Sequence, residues 1–564
     1  MLCTTLTVVT RELTVPEEVS AGYPPTEMPS VSAALAAYGL GGSPMRSRTI
    51  VFLVTGDCPL SVGSDVEGIA VRTAVSMVRA LVLAHTALTD GTKDVALVLA
   101  SPGESDTVRA SRVTLRRLPL EDCTAPRSRS LHRPVNDAVR MLLWSGRRTS
   151  DETRARAQLR SVVDQMTDQV FRALPAVVPC GQGAGPVRAA ALCSRENPTA
   201  ALDAARTVTA NNPRPVALLF PGQGSQHTAM ASGLYTYEPV FTEAVDTVLD
   251  LMGDEGAAIR ADWLAPREGV ISIDDVRRAQ PLLFAVDYAL GKVIMSWGVR
   301  PAALLGHSAG ELVAATFAGV VSLEDAVMMM RERVRHALSV PAGGMLAVAA
   351  SEAQLRPYLV GEVAIAAVNT SMQTMLAGPA AQLRSVKKRL QAHGHTVLAV
   401  PATSPFHSPV MAPAADAVER EYARIGFRPP RLALYSGYTG ELMSERDALS
   451  PRFWARQITD TVYFRPALDQ LLAADDMLLV EAGPLQTLTI FARRHPSVRS
   501  GASAVVPMLP ARPQGQEADR QSLLGAVAQL WTEGHDLDAV SLSQLWADGE
   551  DHAARRSPVA TGQR

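Results

Sequence analysis

AALLGHSAGELVAATFAG, residues 302–319, is the stretch that decides the fold of this 564-residue chain. Four apolar residues lead into GHSAG at 306–310, and a run of helix-forming residues starts at Glu311. A strand that passes through a Gly-x-Ser-x-Gly turn into a helix is typical of the nucleophile elbow of α/β-hydrolase-like folds. The two glycines permit the tight turn. Ser308 is therefore predicted to stand at the helix N-terminus, where the helix dipole favours a developing oxyanion.

A serine nucleophile needs a base, and His407 is the strongest candidate among the eleven histidines. It lies in the Pro-rich segment VPATSPFHSPVM at 400–411, so it follows Ser308 in the order found in α/β-hydrolases. No aspartate between the two residues stands out as a third member of a triad. We therefore expect a backbone carbonyl to orient the imidazole. The alternative is a tight turn without chemistry and a structural histidine in a loop.

The flanking patterns predict an α/β protein of several domains. Residues 1–47 are interpreted as an N-terminal extension, and 48–213 alternate strands and helices as a small α/β linker domain does. The large α/β-hydrolase-like unit, 214–496, begins with the apolar strand PVALLF and the Gly-rich turn PGQGSQ. Within it, 343–400 has the pattern β-α-β-β-α-β, which predicts an inserted ferredoxin-like subdomain. Residues 497–564 are predicted to hold one helix and a polar tail.

The composition is that of a globular protein, with 47% hydrophobic and 20% charged residues. The net charge of -2 argues against a polycation that binds nucleic acid. The five cysteines form no CxxC pair, so we expect neither a zinc site nor a disulfide framework. They are Cys3, Cys58, Cys123, Cys180 and Cys193.

The N-terminal segment MLCTTLTVVTREL lacks a basic region and a continuous apolar stretch, so no signal peptide is expected. The longest apolar run, 71–88, is interrupted by Arg72, Arg79 and His85. It predicts an amphipathic helix and not a membrane span. We expect a cytoplasmic protein without a membrane partner.

Several short motifs occur in order along the large unit. They are LFPGQGSQ at 219–226, AQP at 279–281, GHSAGE at 306–311, the second Arg of RERV at 331–334, SPFH at 404–407 and VEAGP at 480–484. Together they resemble the malonyl-CoA:acyl-carrier-protein transacylases, the acyltransferase family of polyketide and fatty-acid synthesis. The resemblance covers roughly residues 214–495. The segments before and after it resemble the linkers that flank acyltransferase domains in modular polyketide synthases.

The resemblance implies a role for each matching residue. Ser308 would be the acylated nucleophile and His407 the general base. The backbone N–H groups of Gln223 and Ala309 would form the oxyanion hole. Arg333, twenty-five residues after Ser308, would hold a substrate carboxylate, because its planar guanidinium suits a bidentate contact.

Three further residues are predicted to line the substrate site by the same resemblance. Gln280 would lie near the acyl group, Phe406 would crowd its α-carbon, and His307 would neighbour the elbow. The chain departs from the family at 459–461, where Thr-Asp-Thr stands in place of a frequent Asn-Pro pair. A backbone carbonyl remains the expected partner of His407 there.

The sequence thus predicts a ping-pong acyltransferase that loads a malonyl-type unit from acyl-CoA onto the thiol of an acyl carrier protein. Phe406 favours malonyl over methylmalonyl groups. No metal or redox cofactor is implied, and a ketosynthase is a further expected partner. Two alternatives stay open: a thioester hydrolase that clears stalled carrier proteins, and a non-catalytic docking module. Whether the domain is free-standing or part of a larger synthase also stays open.

Overall fold

The computed structural model describes residues 139–542 and, before them, the backbone of five strands. Short gaps in the first range are 167–170, 172–173, 175, 181–184, 211, 236, 266–268, 401, 403 and 539–540. The predicted helix at 71–88 and the polar end of the tail therefore lie outside the described residues. The chain divides into two compact units, Met1–Asn211 and Asn212–Arg564.

The first unit contains two sheets. One has the order β1-β5-β4-β2-β3 and is built from β1 (Thr4–Leu13), β2 (Thr49–Val54), β3 (Glu67–Ala70), β4 (Val95–Ala100) and β5 (Val108–Arg117). The segment interpreted as an extension thus supplies an edge strand, β1, which runs antiparallel to β5.

The other sheet of this unit has the order β7-β6-β8-β9. Its elements are β6 (Val139–Gly146), α1 (Thr149–Asp164), β7 (Val177–Cys180), β8 (Val187–Ser194), α2 (Pro198–Ala204) and β9 (Val208–Thr209). Trp144 on β6 is fully buried, and its indole N–H donates a 2.8 Å hydrogen bond to Glu152 on α1. This contact fastens α1 to the sheet.

The first part of the second unit runs from β10 to α7. Its elements are β10 (Val216–Phe220), α3 (Pro239–Asp250), α4 (Asp254–Leu264), α5 (Val276–Ser296), β11 (Pro301–Gly306), α6 (Gly310–Ala318) and α7 (Leu323–Ala337). Every residue of β10 is buried, as expected for a strand of a parallel sheet with both faces covered. Ser322 accepts a hydrogen bond from the Asp325 amide and caps α7.

The insert at 343–400 forms a separate antiparallel sheet. Its elements are β12 (Gly343–Val348), α8 (Glu352–Leu355), β13 (Ala364–Thr370), β14 (Gln373–Pro379), α9 (Ala380–Ala392) and β15 (Val397–Val400). The strand order β13-β14-β12-β15 places the first and third strands of the insert at the centre, which is the ferredoxin-like arrangement. Apolar side chains such as Val348, Leu376 and Val386 form its own core.

The chain then returns to the main sheet of the second unit. The remaining elements are α10 (Ala412–Tyr422), β16 (Ala433–Tyr435), α11 (Glu445–Ala448), α12 (Pro451–Arg456), α13 (Phe464–Ala474), β17 (Leu478–Glu481), α14 (Thr487–Ala492), α15 (Pro496–Arg499), β18 (Ala504–Pro507) and α16 (Gln516–Thr532). The five strands are parallel in the order β16-β11-β10-β17-β18. The strand order reverses between β10 and β17, and such sheets bind ligands at the carboxyl ends of their strands near this reversal.

The segment after residue 496 contributes a strand that the sequence did not predict. β18 pairs with β17, and the following α16 buries the side chains of Leu523, Val527 and Leu530. Arg214, just before β10, donates to the Ala502 carbonyl at 2.7 Å. The sheet therefore extends beyond the boundary placed at 496. Among the described residues, no helix is long and apolar enough to cross a membrane.

Ending the chain after Arg499 is expected to abolish cooperative unfolding of the second unit. The change removes β18 and α16, and each large apolar side chain buried by α16 contributes about 1.5–3 kcal/mol, so the sum approaches the stability of a whole domain. Thermal unfolding followed by circular dichroism measures the effect. A chain ended after residue 542 is the control and should unfold as the full chain does. Equal unfolding temperatures for both truncations would show that the segment is dispensable.

Candidate active site

Ser308 stands on the predicted elbow between β11 and α6. Its backbone is left-handed, with φ of 52°, a conformation that non-glycine residues adopt rarely. The turn is tight enough that a side chain at Gly306 would overlap the backbone of Glu311. A side chain at Gly310 would overlap the carbonyl oxygens of Phe220 and Pro221 at the end of β10. Both glycines are required because backbone occupies the space of a Cβ.

The Gly-rich turn after β10 lies against this elbow. A Cβ at Gly222 would overlap the carbonyl oxygen of His307 and would stand 3.2 Å from the Ser308 Cβ and 3.4 Å from the Ala309 amide nitrogen. Neither the Gln223 amide nor the Ala309 amide donates a hydrogen bond to any of the residues that the structure describes. Two unused N–H donors thus flank Ser308, as an oxyanion hole requires.

His407 lies beside Ser308, although it is 99 residues further along the chain. Its Nε2 is 2.7 Å from Ser308 Oγ, and its Nδ1 is 2.9 Å from the Asp460 carbonyl oxygen. The proton on Nδ1 therefore points at Asp460, and Nε2 is left to accept the serine proton. The backbone carbonyl expected from the sequence is the one at Asp460.

The environment keeps His407 neutral. Burial lowers the pKa of the imidazole to about 3, and the positive charge of Arg333 and the neighbouring His307 act in the same direction. An imidazole with such a pKa carries no proton on Nε2 at neutral pH. It is consequently available as a base over the whole physiological range.

Arg333 reaches the same place from α7. Its Nη2 lies 3.5 Å from Ser308 Oγ, and the residue is only 5% exposed. Its guanidinium carbon lies 5.2 Å from the centre of the Phe406 ring, a cation–π distance. No carboxylate in the described part of the chain pairs with it, and its Nε has no hydrogen-bond partner. A buried cation without a counter-ion is costly, so the site is arranged to receive an anion.

The remaining predicted residues surround Ser308. Gln280 is 2% exposed, and its side-chain amide donates to the Gln223 side chain at 3.0 Å. His307 has its Nε2 2.8 Å from the Asn369 side-chain oxygen on β13 of the insert. Phe406 is 3% exposed, with its ring centre 6.3 Å from that of His407. All eight predicted site residues therefore lie in one region at the ends of β10 and β11.

Glu311 is a positioning residue to which the sequence assigned no role. It is fully buried and accepts hydrogen bonds from the Ser436 hydroxyl, the Gly437 amide and the Gln457 side chain, at 2.8, 2.7 and 3.1 Å. Burial raises its pKa to about 8. The motif GHSAGE contains this residue, but its partners are more than 120 residues away. Only the folded chain identifies them.

Tyr438 is the other side chain that the sequence did not single out. It follows β16, and its ring centre lies 6.0 Å from that of His407. Its hydroxyl oxygen is shielded from solvent and has no hydrogen-bond partner among the described residues. The site therefore contains an aromatic hydroxyl beside the Ser308–His407 pair.

Known proteins with a similar sequence include large synthases. A family model described as acyl transferase domain matches residues 217–529, more than half of the chain. One component of the phenolphthiocerol/phthiocerol polyketide synthase of Mycobacterium tuberculosis (strain CDC 1551 / Oshkosh) is 39% identical over 325 residues, which are 57% of this chain and 22% of that protein. The chain thus spans less than a quarter of the length of this relative.

Solved structures with a similar fold are acyltransferase domains. The acyl transferase domain of SpnD, in complex with 2-(pent-4-yn-1-yl)malonyl, has a TM-score of 0.62 at 27% identity and covers 72% of this chain and 98% of its own. The acyltransferase domain from the second module of the salinomycin polyketide synthase has a TM-score of 0.56 at 31% identity, with coverages of 64% and 85%. These similarities confirm the predicted α/β fold class.

The rate at which a fluorophosphonate labels Ser308 should be independent of pH between about 5 and 8, because the pKa of His407 is lowered to about 3. The His407→Ala variant should react about 10²- to 10⁴-fold more slowly. Intact-mass spectrometry over time measures both rates. A titration step near 6.5 in the wild-type profile would contradict the lowered pKa.

In the unfolded chain His407 takes its proton near 6.5, so this residue reduces stability as the pH falls from 6.5 toward 3.

Proposed function

Because the chain belongs to the acyl transferase domain family, we propose that it loads a malonyl-type acyl group from acyl-CoA onto the phosphopantetheine thiol of an acyl carrier protein. The observation that carries this proposal is the buried Arg333, which has no anionic partner among the described residues and lies 3.5 Å from Ser308 Oγ. A thioester whose acyl group ends in a carboxylate places an anion at that distance from the attacked carbonyl. The substituted malonyl ligand of the SpnD domain has the same chemistry.

The first half-reaction forms an acyl-enzyme. Ser308 Oγ attacks the thioester carbonyl while His407 Nε2 accepts the serine proton. The negative charge that develops on the carbonyl oxygen is stabilised by the Gln223 and Ala309 amides. The carbon–sulfur bond then breaks, and the CoA sulfur takes the proton from His407. The acyl group remains as an ester on Ser308.

The second half-reaction runs the same steps with a different thiol. The carrier-protein thiol gives its proton to His407 and attacks the ester carbonyl. Ser308 leaves and recovers its proton, and the acyl group ends as a thioester on the carrier. Acyl-CoA and a carrier protein are thus the proposed partners, and a ketosynthase is the proposed consumer of the loaded carrier. The Asp460 carbonyl serves both halves because it holds His407 in the required tautomer.

A bound carboxylate also strengthens the base. Arg333 is one of the charges that lower the pKa of His407. An anion beside the guanidinium cancels part of that effect, so His407 becomes a better proton acceptor when a dicarboxylic acyl group is present. An acetyl group lacks the anion and gains no such help. This coupling supports selectivity for malonyl-type groups over simple acyl groups.

The extender unit is proposed to be malonyl and not methylmalonyl. Phe406 directly precedes His407 and is held in place by the guanidinium of Arg333. Its ring occupies space next to the position of the α-carbon, so an added methyl group meets the aromatic ring. One methyl group changes selectivity by about 1–3 kcal/mol, which gives a preference and not an absolute exclusion.

Incubation with malonyl-CoA should acylate Ser308 and no other residue. Peptide mapping after rapid acid quenching locates the ester, and Ser308→Ala should remove it. The acyl group should then move to an added phosphopantetheinylated carrier protein. An adduct on a different residue would refute the proposed nucleophile. Release of free malonate without transfer would instead identify a thioester hydrolase.

Arg333→Ala should slow acylation by malonyl-CoA about 10- to 100-fold, because the carboxylate loses a charged hydrogen bond worth about 1.5–3 kcal/mol. Acetyl-CoA should be affected much less. Both rates are obtained by quenching samples at successive times and measuring the fraction of acyl-enzyme by mass spectrometry. Arg331→Ala is the matched control on the same helix, since Arg331 is partly exposed and lies 3.5 Å from Glu255. Equal losses for the two substrates would assign Arg333 to the fold alone.

Equal concentrations of malonyl-CoA and methylmalonyl-CoA should give mostly malonyl-enzyme, and Phe406→Ser should shift the ratio toward methylmalonyl. The variant should also load both groups more slowly, because Arg333 loses the ring beneath it. Acyl-enzyme masses report the ratio. Phe427→Ser, which removes a ring stacked on Trp454, is the control and should leave the ratio unchanged. Dominant loading of methylmalonyl by the wild type would refute the steric argument.

A further inference from the structure

Tyr438 is held against the site by the buried Glu311. The Gly437 amide donates to one Glu311 carboxylate oxygen and the Ser436 hydroxyl donates to the other. The Tyr438 amide then donates to the Ser436 hydroxyl at 3.1 Å. Glu311 lies in the first turn of α6, directly after the elbow. Its hydrogen bonds therefore hold the loop of Tyr438 against the elbow that carries Ser308.

The ring of Tyr438 has two aromatic neighbours. Its centre is 6.0 Å from the His407 ring and 6.4 Å from the Phe453 ring, which it meets edge-on at 87°. The residue as a whole is half-buried, whereas its hydroxyl oxygen is shielded from solvent. The polar tip is therefore directed inward, toward the protein.

The Tyr438 hydroxyl lies near Ser308 and Arg333, two residues of the proposed reaction. Burial raises the pKa of Tyr438 and the Glu311 charge adds to this increase, whereas the Arg333 charge and hydrogen bonding from the Ser308 and Arg333 side chains oppose it. The phenol keeps its proton at neutral pH and remains a hydrogen-bond donor. Yet no acceptor in the described part of the chain takes that hydrogen bond.

Two unused donors thus stand close to Ser308: the Arg333 Nε–H group and the Tyr438 hydroxyl. A buried donor without an acceptor is destabilising, so an unpaired donor in a native structure calls for an explanation, and a bound ligand that accepts its hydrogen bond provides one. A carboxylate has two oxygens and several lone pairs, and it accepts from a guanidinium and a phenol at once. A neutral acyl group offers no such acceptor at this position.

We propose that Tyr438 is a second carboxylate-binding residue, whose hydroxyl donates a hydrogen bond to the acyl carboxylate held by Arg333. This inference rests on the proposed function, because it concerns the substrate of the same site. It assigns the choice between carboxylated and neutral acyl groups to two residues on different elements. Arg333 comes from α7, and Tyr438 comes from the loop after β16.

The test compares Tyr438→Phe with the wild type, using malonyl-CoA and acetyl-CoA as substrates. The variant keeps the ring and removes only the hydroxyl. We expect kcat/KM for acylation by malonyl-CoA to fall about 10- to 100-fold and that for acetyl-CoA to change less than about twofold. Tyr358→Phe is the matched control, since it removes the same hydroxyl group from a tyrosine of the insert that packs against His393 and His395, and it should behave as the wild type.

The possible results separate this inference from the proposed function. A wild type that acquires no malonyl ester on Ser308 refutes the proposed function itself. A wild type that is acylated normally, together with a Tyr438→Phe variant that retains its malonyl-to-acetyl ratio, refutes the role of Tyr438 and leaves the proposed function standing. Equal losses for both substrates would likewise overturn the inference, because a structural role affects them alike. Thermal unfolding of the variant verifies that it is folded.

Discussion

The chain reverses from β11 into α6 around Ser308, whose backbone holds the left-handed conformation with φ of 52°. Such a conformation costs a non-glycine residue about 1–3 kcal/mol, and the surrounding packing must compensate for it. The compensation comes from close backbone contacts at Gly222, Gly306 and Gly310, where no Cβ fits. His407 is also left-handed, with φ of 63°. Ser308 and His407 thus both have uncommon backbone conformations, and their side chains meet at 2.7 Å.

Glu311 connects the elbow to other segments of the site by hydrogen bonds. Its carboxylate contacts the loop after β16 and the Gln457 side chain after α12, so three distant parts of the chain meet at one buried group. The Ile458 carbonyl next to Gln457 accepts the His407 amide at 2.8 Å. His407 is therefore held through its backbone by the same segment whose Asp460 carbonyl contacts its ring. A single carboxyl group links the helix after Ser308 to the segment that holds His407.

The charges of the site fit the anionic substrate that we propose. Arg333 is buried without a partner in the described chain, while the imidazole beside it is held neutral. The proposed carboxylate would offset the cost of burying the Arg333 charge. It would also raise the lowered pKa of His407 toward its usual value. Binding energy and base strength would then change together, which is how a site distinguishes a dicarboxylic thioester from a simple one. In the proposed role of Tyr438, its hydroxyl would offer the same carboxylate a second donor.

The amino-acid sequence by itself determined the local features of this protein. Glycine spacing, apolar runs and their periods predicted the strand–turn–helix at 306–310, the ferredoxin-like insert and the Gly-rich turn before it, since each is encoded within a few consecutive residues. Motif order supplied Ser308, His407 and Arg333 as the candidate residues. These predictions depend on short-range geometry, which neighbouring residues largely specify.

Tertiary structure alone decided what these residues contact. The Asp460 carbonyl, the Glu311 partners, the orientation of the Tyr438 hydroxyl and the position of β18 all depend on segments that are far apart in sequence. No local pattern encodes such contacts, because a carbonyl or a tyrosine looks the same in the sequence whether it faces solvent or a buried histidine. The absence of a counter-ion at Arg333 among the described residues became visible only when the neighbours of its guanidinium were in place. Packing, and not residue type, left this guanidinium buried without a carboxylate partner in the described part of the chain.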